Sequence, residues 1–238
     1  MKKSLFLALL FIVLVFSAAY GFAQEKPRLG VLRFTNQTRA GWWSASVGRE
    51  LQDMLAAELA ATKSFQVLER KEIDAVLGEQ DLGDSGRIDS ATKAKIGRIK
   101  GAKYLVAGTV SAFEEGTKGT GGGVSIGRIG IGGKSERAYL AVDLKIIDTE
   151  TGEIVDARTV EAEAKSGGLR GRVGIGKFSG SLGAHEKTPT GRAIRACLME
   201  IVEYLECSMI KGPDDRCMKE YEAKERKRRE KTKKGIKF

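Results

Sequence analysis

Hydrophobic positions in this chain change their spacing several times, and each change marks an element. Leu5 to Phe16 is an unbroken apolar run, shorter than the ~20 residues that span a bilayer as a helix. Arg28-Leu-Gly-Val-Leu-Arg-Phe34 reads as a short buried strand. Thr35 to Ser46 is a polar loop interrupted by Trp42 and Trp43. Val47, Leu51, Met54, Leu55 and Leu59 then fall at helical spacing, with Ser44 or Ser46 as the N-cap. Phe65 to Leu68 predicts a second strand. Arg70 to Leu77 predicts a short helix turned inward through Ile73, Val76 and Leu77. Gly83 and Gly86 mark a loop, and Ser90 to Ile99 predicts a third helix facing in through Ala91, Ala94 and Ile96. Tyr104 to Phe113 is a third strand. Strand and helix alternate throughout, which predicts an α/β layer with a small sheet.

Beyond Phe113 the pattern changes. Gly116 to Gly133 holds nine glycines in 18 residues. Arg137 to Asp148 returns to strict alternation, with Ala138, Leu140, Val142, Leu144 and Ile146 on one face and Tyr139, Asp143 and Lys145 on the other. Thr149 to Glu153 is a hairpin turn in which Gly152 is free to take positive φ, and Ile154 to Lys165 is the return strand. A second cluster, Gly167 to Gly183, has seven glycines in 17 residues. After Pro189, with Thr188 or Thr190 as cap, comes a strongly amphipathic helix: Ile194, Cys197, Leu198, Ile201, Val202, Leu205 and Met209. Past Gly212-Pro213 the chain is almost wholly charged.

The apolar run at the start gains meaning from its flanks. Lys2 and Lys3 precede it, and small residues Gly21 and Ala23 end the segment. This is the pattern of a secretory signal, residues 1–23, cut before Gln24. No cysteine follows the run, which predicts a non-lipidated protein, exported to the outer membrane or periplasm of a diderm bacterium. No later segment is long or apolar enough for a transmembrane helix, so any membrane insertion would be through β-strands.

Charge and composition refine this. The net charge is +10, but residues 211–238 carry twelve basic and six acidic side chains. Subtracting that +6 and the two signal lysines leaves 10 − 2 − 6 = +2 on the body. The body, about 24–210, is near neutral, and the tail reads as a solvated helix or disordered segment. An exported protein of this kind is not expected to bind nucleic acid. Glycine makes up 30 of 238 residues, nearly twice the usual ~7%, and the excess sits in the two clusters.

Candidate chemistry is sparse. Gly171-Arg-Val-Gly-Ile-Gly-Lys-Phe178 has the Gly-x4-Gly-Lys spacing of a phosphate loop, but Phe178 stands where a hydroxyl must bind magnesium. One histidine, His185, has no triad partners. Asp143, Asp148 and Asp156 read as solvated or lumen-facing, without an acid–base pair. These residues predict neither an enzyme nor a cofactor. Of three cysteines, Cys197 lies on an apolar helix face. Cys207 and Cys217 lie ten apart and could close a disulfide in an oxidising periplasm; the spacing leaves that open. Trp42 and Trp43 are the only tryptophans. One can cover the core, but two adjacent indoles are hard to bury together, so at least one is expected to face a partner, a ligand or a pore.

Taken in order, the pieces resemble the CsgG-type curli-secretion channel family. The likeness is carried by Leu29–Asn36, Val47–Leu55, Phe65–Arg70, Ile73–Gln80, Gly101–Val110, Val142–Glu153 and the helix beginning near Ala193. It implies a periplasmic α/β domain whose copies form a ring, each giving two β-hairpins, about 110–147 and 154–184, to a shared transmembrane barrel. It also implies a loop that narrows the channel, here Thr35 to Ser46, with Asn36, Gln37, Trp42 and Trp43 as constriction candidates. The expected partners are other copies of the chain, a secreted polypeptide, and periplasmic or surface accessory proteins. The family's acylated cysteine is missing. Arg128, Arg170 and Arg172 would each cost ~2–4 kcal/mol facing lipid at mid-depth, so they must face the lumen or the interface if those segments are barrel strands. A soluble envelope scaffold with flexible glycine loops is the alternative.

Overall fold

The computed structural model describes residues 25–119, 125–126, 129–130, 134–165 and 187–235. The fold is mixed α/β. Its elements are β1 (Arg28–Val31), β2 (Thr35–Asn36), α1 (Val47–Thr62), β3 (Gln66–Leu68), α2 (Ile73–Asp84), β4 (Tyr104–Gly119), β5 (Ser125–Ile126), β6 (Ile129–Gly130), β7 (Lys134–Asp148), β8 (Ile154–Lys165), α3 (Pro189–Glu206), a π-helical turn (Cys207–Lys211) and α4 (Arg216–Gly235). One six-stranded sheet has the order β3-β1-β4-β7-β8, with β2 also paired to β4. β1, β2 and β3 join in parallel, whereas β4-β7-β8 is an antiparallel meander. β5 and β6 form a separate two-stranded ribbon.

One face of the sheet is packed by α1 and α3. Val47, Leu51, Leu55 and Leu59 of α1 and Ile194, Cys197, Leu198, Ile201 and Leu205 of α3 are buried there. They meet Leu29, Val31, Val106, Val110 and the alternate residues Ala138 to Ile146 of β7. Each large aliphatic in this layer contributes roughly 1.5–3 kcal/mol of burial. The period-2 and period-3.6 signals read from the sequence therefore point at the same core. The cap of α3 and the β7–β8 turn agree with it as well, whereas Ser46 stands at the N-cap position of α1 without a side-chain capping bond. The Thr188 hydroxyl accepts from Gly191 N–H at 3.1 Å, with Pro189 opening the helix. Gly152 takes φ 74° in the β7–β8 turn.

Three expectations fail, the first two for want of an opposing surface. The helix predicted over 70–77 runs on to Asp84, through the glycine expected to start a loop. Val76 and Leu77 are exposed, not inward, because α2 does not lie on the sheet. Ser90 to Ile99 forms turns rather than a helix. The Asp89 carboxylate accepts from Ala91 N–H, closing a single turn, and Gly97 at φ 79° stops propagation. Ala91, Ala94 and Ile96 are exposed. Finally, the three aspartates are not free in solvent. Asp148 is buried against Lys103 at 3.0 Å, Asp143 accepts from Thr159 Oγ1 at 2.8 Å, and Asp156 accepts from the Tyr204 hydroxyl.

The charged tail is ordered and docked through Arg216–Gly235. Tyr221 is buried edge-on to Tyr204, and the Arg158 guanidinium lies over both rings while donating to the Tyr221 carbonyl at 3.0 Å. Arg228 reaches Glu161 of β8, and Lys224 reaches Glu200 of α3. Cys207 and Cys217 are joined as a disulfide with Cα atoms 6.0 Å apart. Cys197 is buried and free, and burial pushes its thiol up to about 12. Among the described residues no helix is long and apolar enough to cross a membrane, which says nothing of a β-barrel.

Candidate functional site

The loop between β1 and α1 lies at the end of the sheet where β4 runs on past the core. β2 fastens its start: Thr35 and Thr109 share a hydroxyl hydrogen bond of 2.8 Å, and Gln37 N–H donates to Val110 C=O at 2.9 Å. The Asn36 side chain is consumed locally. Its Oδ1 accepts from Thr38 N–H (2.9 Å) and Thr38 Oγ1–H (2.7 Å), and its Nδ2 donates to Thr38 C=O at 3.2 Å. This is the Asx-type turn that asparagine makes at strand ends. Ala40 C=O then accepts from Trp43 N–H at 3.1 Å, and Arg33 Nη2 clasps Ala45 C=O at 2.8 Å.

The tryptophans fold back on their own subunit. Trp42 is 6% exposed and meets Phe113 and Trp43 edge-on at 5.6 and 5.7 Å between ring centroids. Trp43 is half-buried against the same cluster. Both indoles are thus accommodated without either being fully exposed, because β4 supplies Phe113 just beyond a bulge that shifts the β4–β7 register between Val110 and Ala112. The Trp42 Nε1–H is buried with no acceptor among the described residues. Gln37 is exposed and Asn36 half-buried at the strand end. Arg39, which the sequence reading did not single out, is also exposed on this loop. Its signal was available, as the only charge between Arg33 and Arg49 in a segment otherwise lacking one.

Close packing under the loop depends on two glycines. A Cβ at Gly48 would collide with the Phe34 carbonyl, and one at Gly108 would overlap the Phe34 ring. Phe34 N–H donates to Gly48 C=O at 3.0 Å, so the loop's two ends are held a fixed distance apart.

The neighbouring hairpin is the second part of the site. β4 and β7 stay in antiparallel register from Tyr104↔Asp148 to Gly119↔Lys134. The core ends at the row of Glu115, Ala138 and Ala164, so four residues of β4, 116–119, continue past it. At ~3.3 Å per residue they carry the ribbon roughly 13 Å beyond the core. Its base is tied to α3 by the Thr190 hydroxyl, which donates to Glu115 Oε1 at 2.8 Å. The second predicted hairpin, about 154–184, lies outside the described residues beyond Lys165. So do Arg128, Arg170, Arg172, His185, the phosphate-loop-like segment and the predicted signal.

The arrangement is an α/β domain with a protruding ribbon and a tethered loop side by side at one end of the sheet. Comparison with known proteins names the family. The model for the curli production assembly/transport component CsgG matches residues 15–236, and the chain belongs to that family. A Neisseria meningitidis serogroup B protein that carries a lipoprotein name, NMB1126/NMB1164, is 32% identical over 159 residues, 67% of this chain and 63% of its own length. The match therefore spans less than two thirds of that relative. Among solved structures, the hypothetical protein CT253 from Chlamydia trachomatis aligns with a TM-score of 0.44 at 14% identity, covering 76% of this chain and 96% of that one. The PelC dodecamer from Paraburkholderia phytofirmans aligns at 0.38 and 14% identity, covering 76% and 89%. The protein is exported and belongs to the envelope of a diderm bacterium.

Proposed function

We propose that the protein is a ring-forming outer-membrane channel that exports a polypeptide, held by its barrel rather than by an acyl chain and using no nucleotide or catalytic group of its own. The observation that carries this reading is the β4–β7 ribbon, which continues in register beyond the core within a chain of the CsgG family. An open ribbon leaves backbone groups unpaired at its edges, and hydrocarbon tolerates only closed barrels. Neighbouring copies would have to supply the missing pairing, so insertion and ring closure become one event. Gln37, Arg39 and the turn at Asn36 would then sit at the mouth of the ring, with the tryptophans behind them as a rigid backing.

The second reading is a soluble envelope scaffold for surface-structure assembly, in which the glycine segments act as loops. The docking of Trp42 onto its own core favours it, since that indole is not presented to a lumen within the subunit. Membrane fractionation separates the two, with heat-modifiable mobility on gels and conductance in planar bilayers as readouts. Detergent-stable rings that conduct are expected. A water-soluble monomer that never conducts overturns the channel.

A further inference from the structure

The β3–β4 connection, residues 69–103, leaves its apolar side chains without a partner. Among the described residues eight large hydrophobics are exposed, and five belong to this one excursion: Val76 40%, Leu77 44%, Leu82 39%, Ile96 61% and Ile99 40%. Ile73, Val76 and Leu77 follow the i, i+3, i+4 spacing of an apolar helix face. A right-handed crossover from β3 to β4 should lay α2 on the sheet face opposite α1. That face is open. Register places Leu105, Ile147 and Ile154 side by side on it, and Ala107, Lys145 and Ala157 in the next row. Ile154 is 53% exposed.

Charge adds a second match. α2 carries Asp74, Glu79, Asp81 and Asp84 and no basic residue of its own, although Asp84 lies 3.9 Å from Lys93 of the basic turns that follow. Lys145 stands exposed on the open face with no ion-pair partner among the described residues. An acidic apolar helix and an apolar face centred on a lysine occur on one chain that does not bring them together.

We infer that α2 and the turns after it dock onto the open sheet face of a neighbouring copy, around Leu105, Ile147, Ile154 and Lys145. The contact is heterologous, one surface on each partner, and such contacts close into rings when the rotation allows. The inference rests on the ring reading above and names the surfaces that build it.

The test uses the full-length protein extracted in mild detergent and sized by light scattering and native mass spectrometry. Leu77→Asp with Ile96→Asp places charges at two already exposed positions. The folded chain keeps its circular dichroism melt but loses the high-mass species. Lys145→Glu weakens assembly by about ten-fold or more through like-charge contact with α2. Leu77→Cys combined with Ile154→Cys, oxidised, gives a ladder of covalent multimers longer than dimers. Rings that survive the double aspartate variant, or no cross-linking from the cysteine pair, overturn the inference. Dimers from Leu77→Cys alone also overturn it, since α2 would then meet α2. Cross-linked rings that do not conduct would sink the channel and leave this contact standing. A conducting protein whose double aspartate variant still forms rings would do the reverse. A wild-type chain that stays monomeric removes both.

Discussion

Trp42 offers the sharpest check on how the candidate loop is held. Burying an indole removes ~150–250 Å² from water, or roughly 4–6 kcal/mol at ~25 cal/mol per Å². Truncating a buried aromatic to alanine typically costs ~3–5 kcal/mol. Here one contribution runs the other way. The Nε1–H is buried without an acceptor among the described residues, and a stranded donor costs about 1–3 kcal/mol, which the truncation relieves. Trp42→Ala is therefore expected to destabilise by only about 2 kcal/mol, the mid-values being ~4 less ~2. Trp42→Phe keeps an aromatic ring against Phe113 and Trp43, deletes the stranded N–H and gives up a little area. It should be neutral, or more stable by up to ~2 kcal/mol. Trp43→Ala, at a half-buried site, should cost less than an aromatic core truncation, ~1–2 kcal/mol. Urea unfolding of the protein in mild detergent, followed by far-UV circular dichroism, ranks the three variants. If Trp42→Phe is as damaging as Trp42→Ala, the N–H has an acceptor and the packing argument is wrong. If Trp42→Ala leaves stability untouched, the indole faces a lumen or a partner instead of the core.

The remaining expectations concern the loop's foundation and the C-terminal helix. Gly108→Ala drives a methyl into the Phe34 ring, and overpacking of this kind costs ~1–3 kcal/mol, read as a lower urea midpoint; an unchanged midpoint would mean that Phe34 is free to move. Replacing Cys207 and Cys217 with serine opens a ten-residue loop and should cost ~2–3 kcal/mol on the chain-entropy estimate, with faster tryptic cleavage of α4; equal cleavage of oxidised and serine forms would show that the bond does not hold the helix. Acid should loosen α4 as well. Hydrogen bonds from Arg228, then Arg229, hold the Glu225 carboxyl at about 2, below its ordinary 4.5. A carboxyl depressed in the folded state stabilises above its unfolded pKa, and that contribution is lost as pH falls from about 4.5 towards about 2. Asp148 adds in the same direction, lowered chiefly by the Glu150 backbone N–H and then by Lys103. Hydrogen exchange of α4 should accelerate across that window and Glu225→Gln should flatten the response; a flat wild-type profile contradicts the pairing.

Some of this protein was legible because the signal was complete within a short stretch. Val47 to Leu59 and Ile194 to Leu205 carry whole apolar stripes, and α3 carries its cap and opening proline alongside. Ala138 to Ile146 alternate without a break, and Gly152 marks the turn that follows. The resemblance to the CsgG family was legible for the same reason, since it rests on ordered short segments.

The rest depended on what stands opposite each segment. Ile73, Val76 and Leu77 have helical spacing, but spacing reports that a face wants cover and not where the cover comes from. The same holds for Ile96, whose segment never became a helix because nothing supports it against the cost of nucleation. Trp42 went inward because a bulge in β4, about seventy residues later, presents Phe113. Likewise, the basic tail became a docked helix because Arg158 and Tyr204 form a seat for Tyr221. The sequence by itself determined export, the α/β alternation and the core stripes, since these follow from local period and composition. Only the tertiary structure decided which indole is buried, which helix goes uncovered and where the charges of the tail are spent. Those outcomes turn on long-range contacts whose free energy no single segment contains.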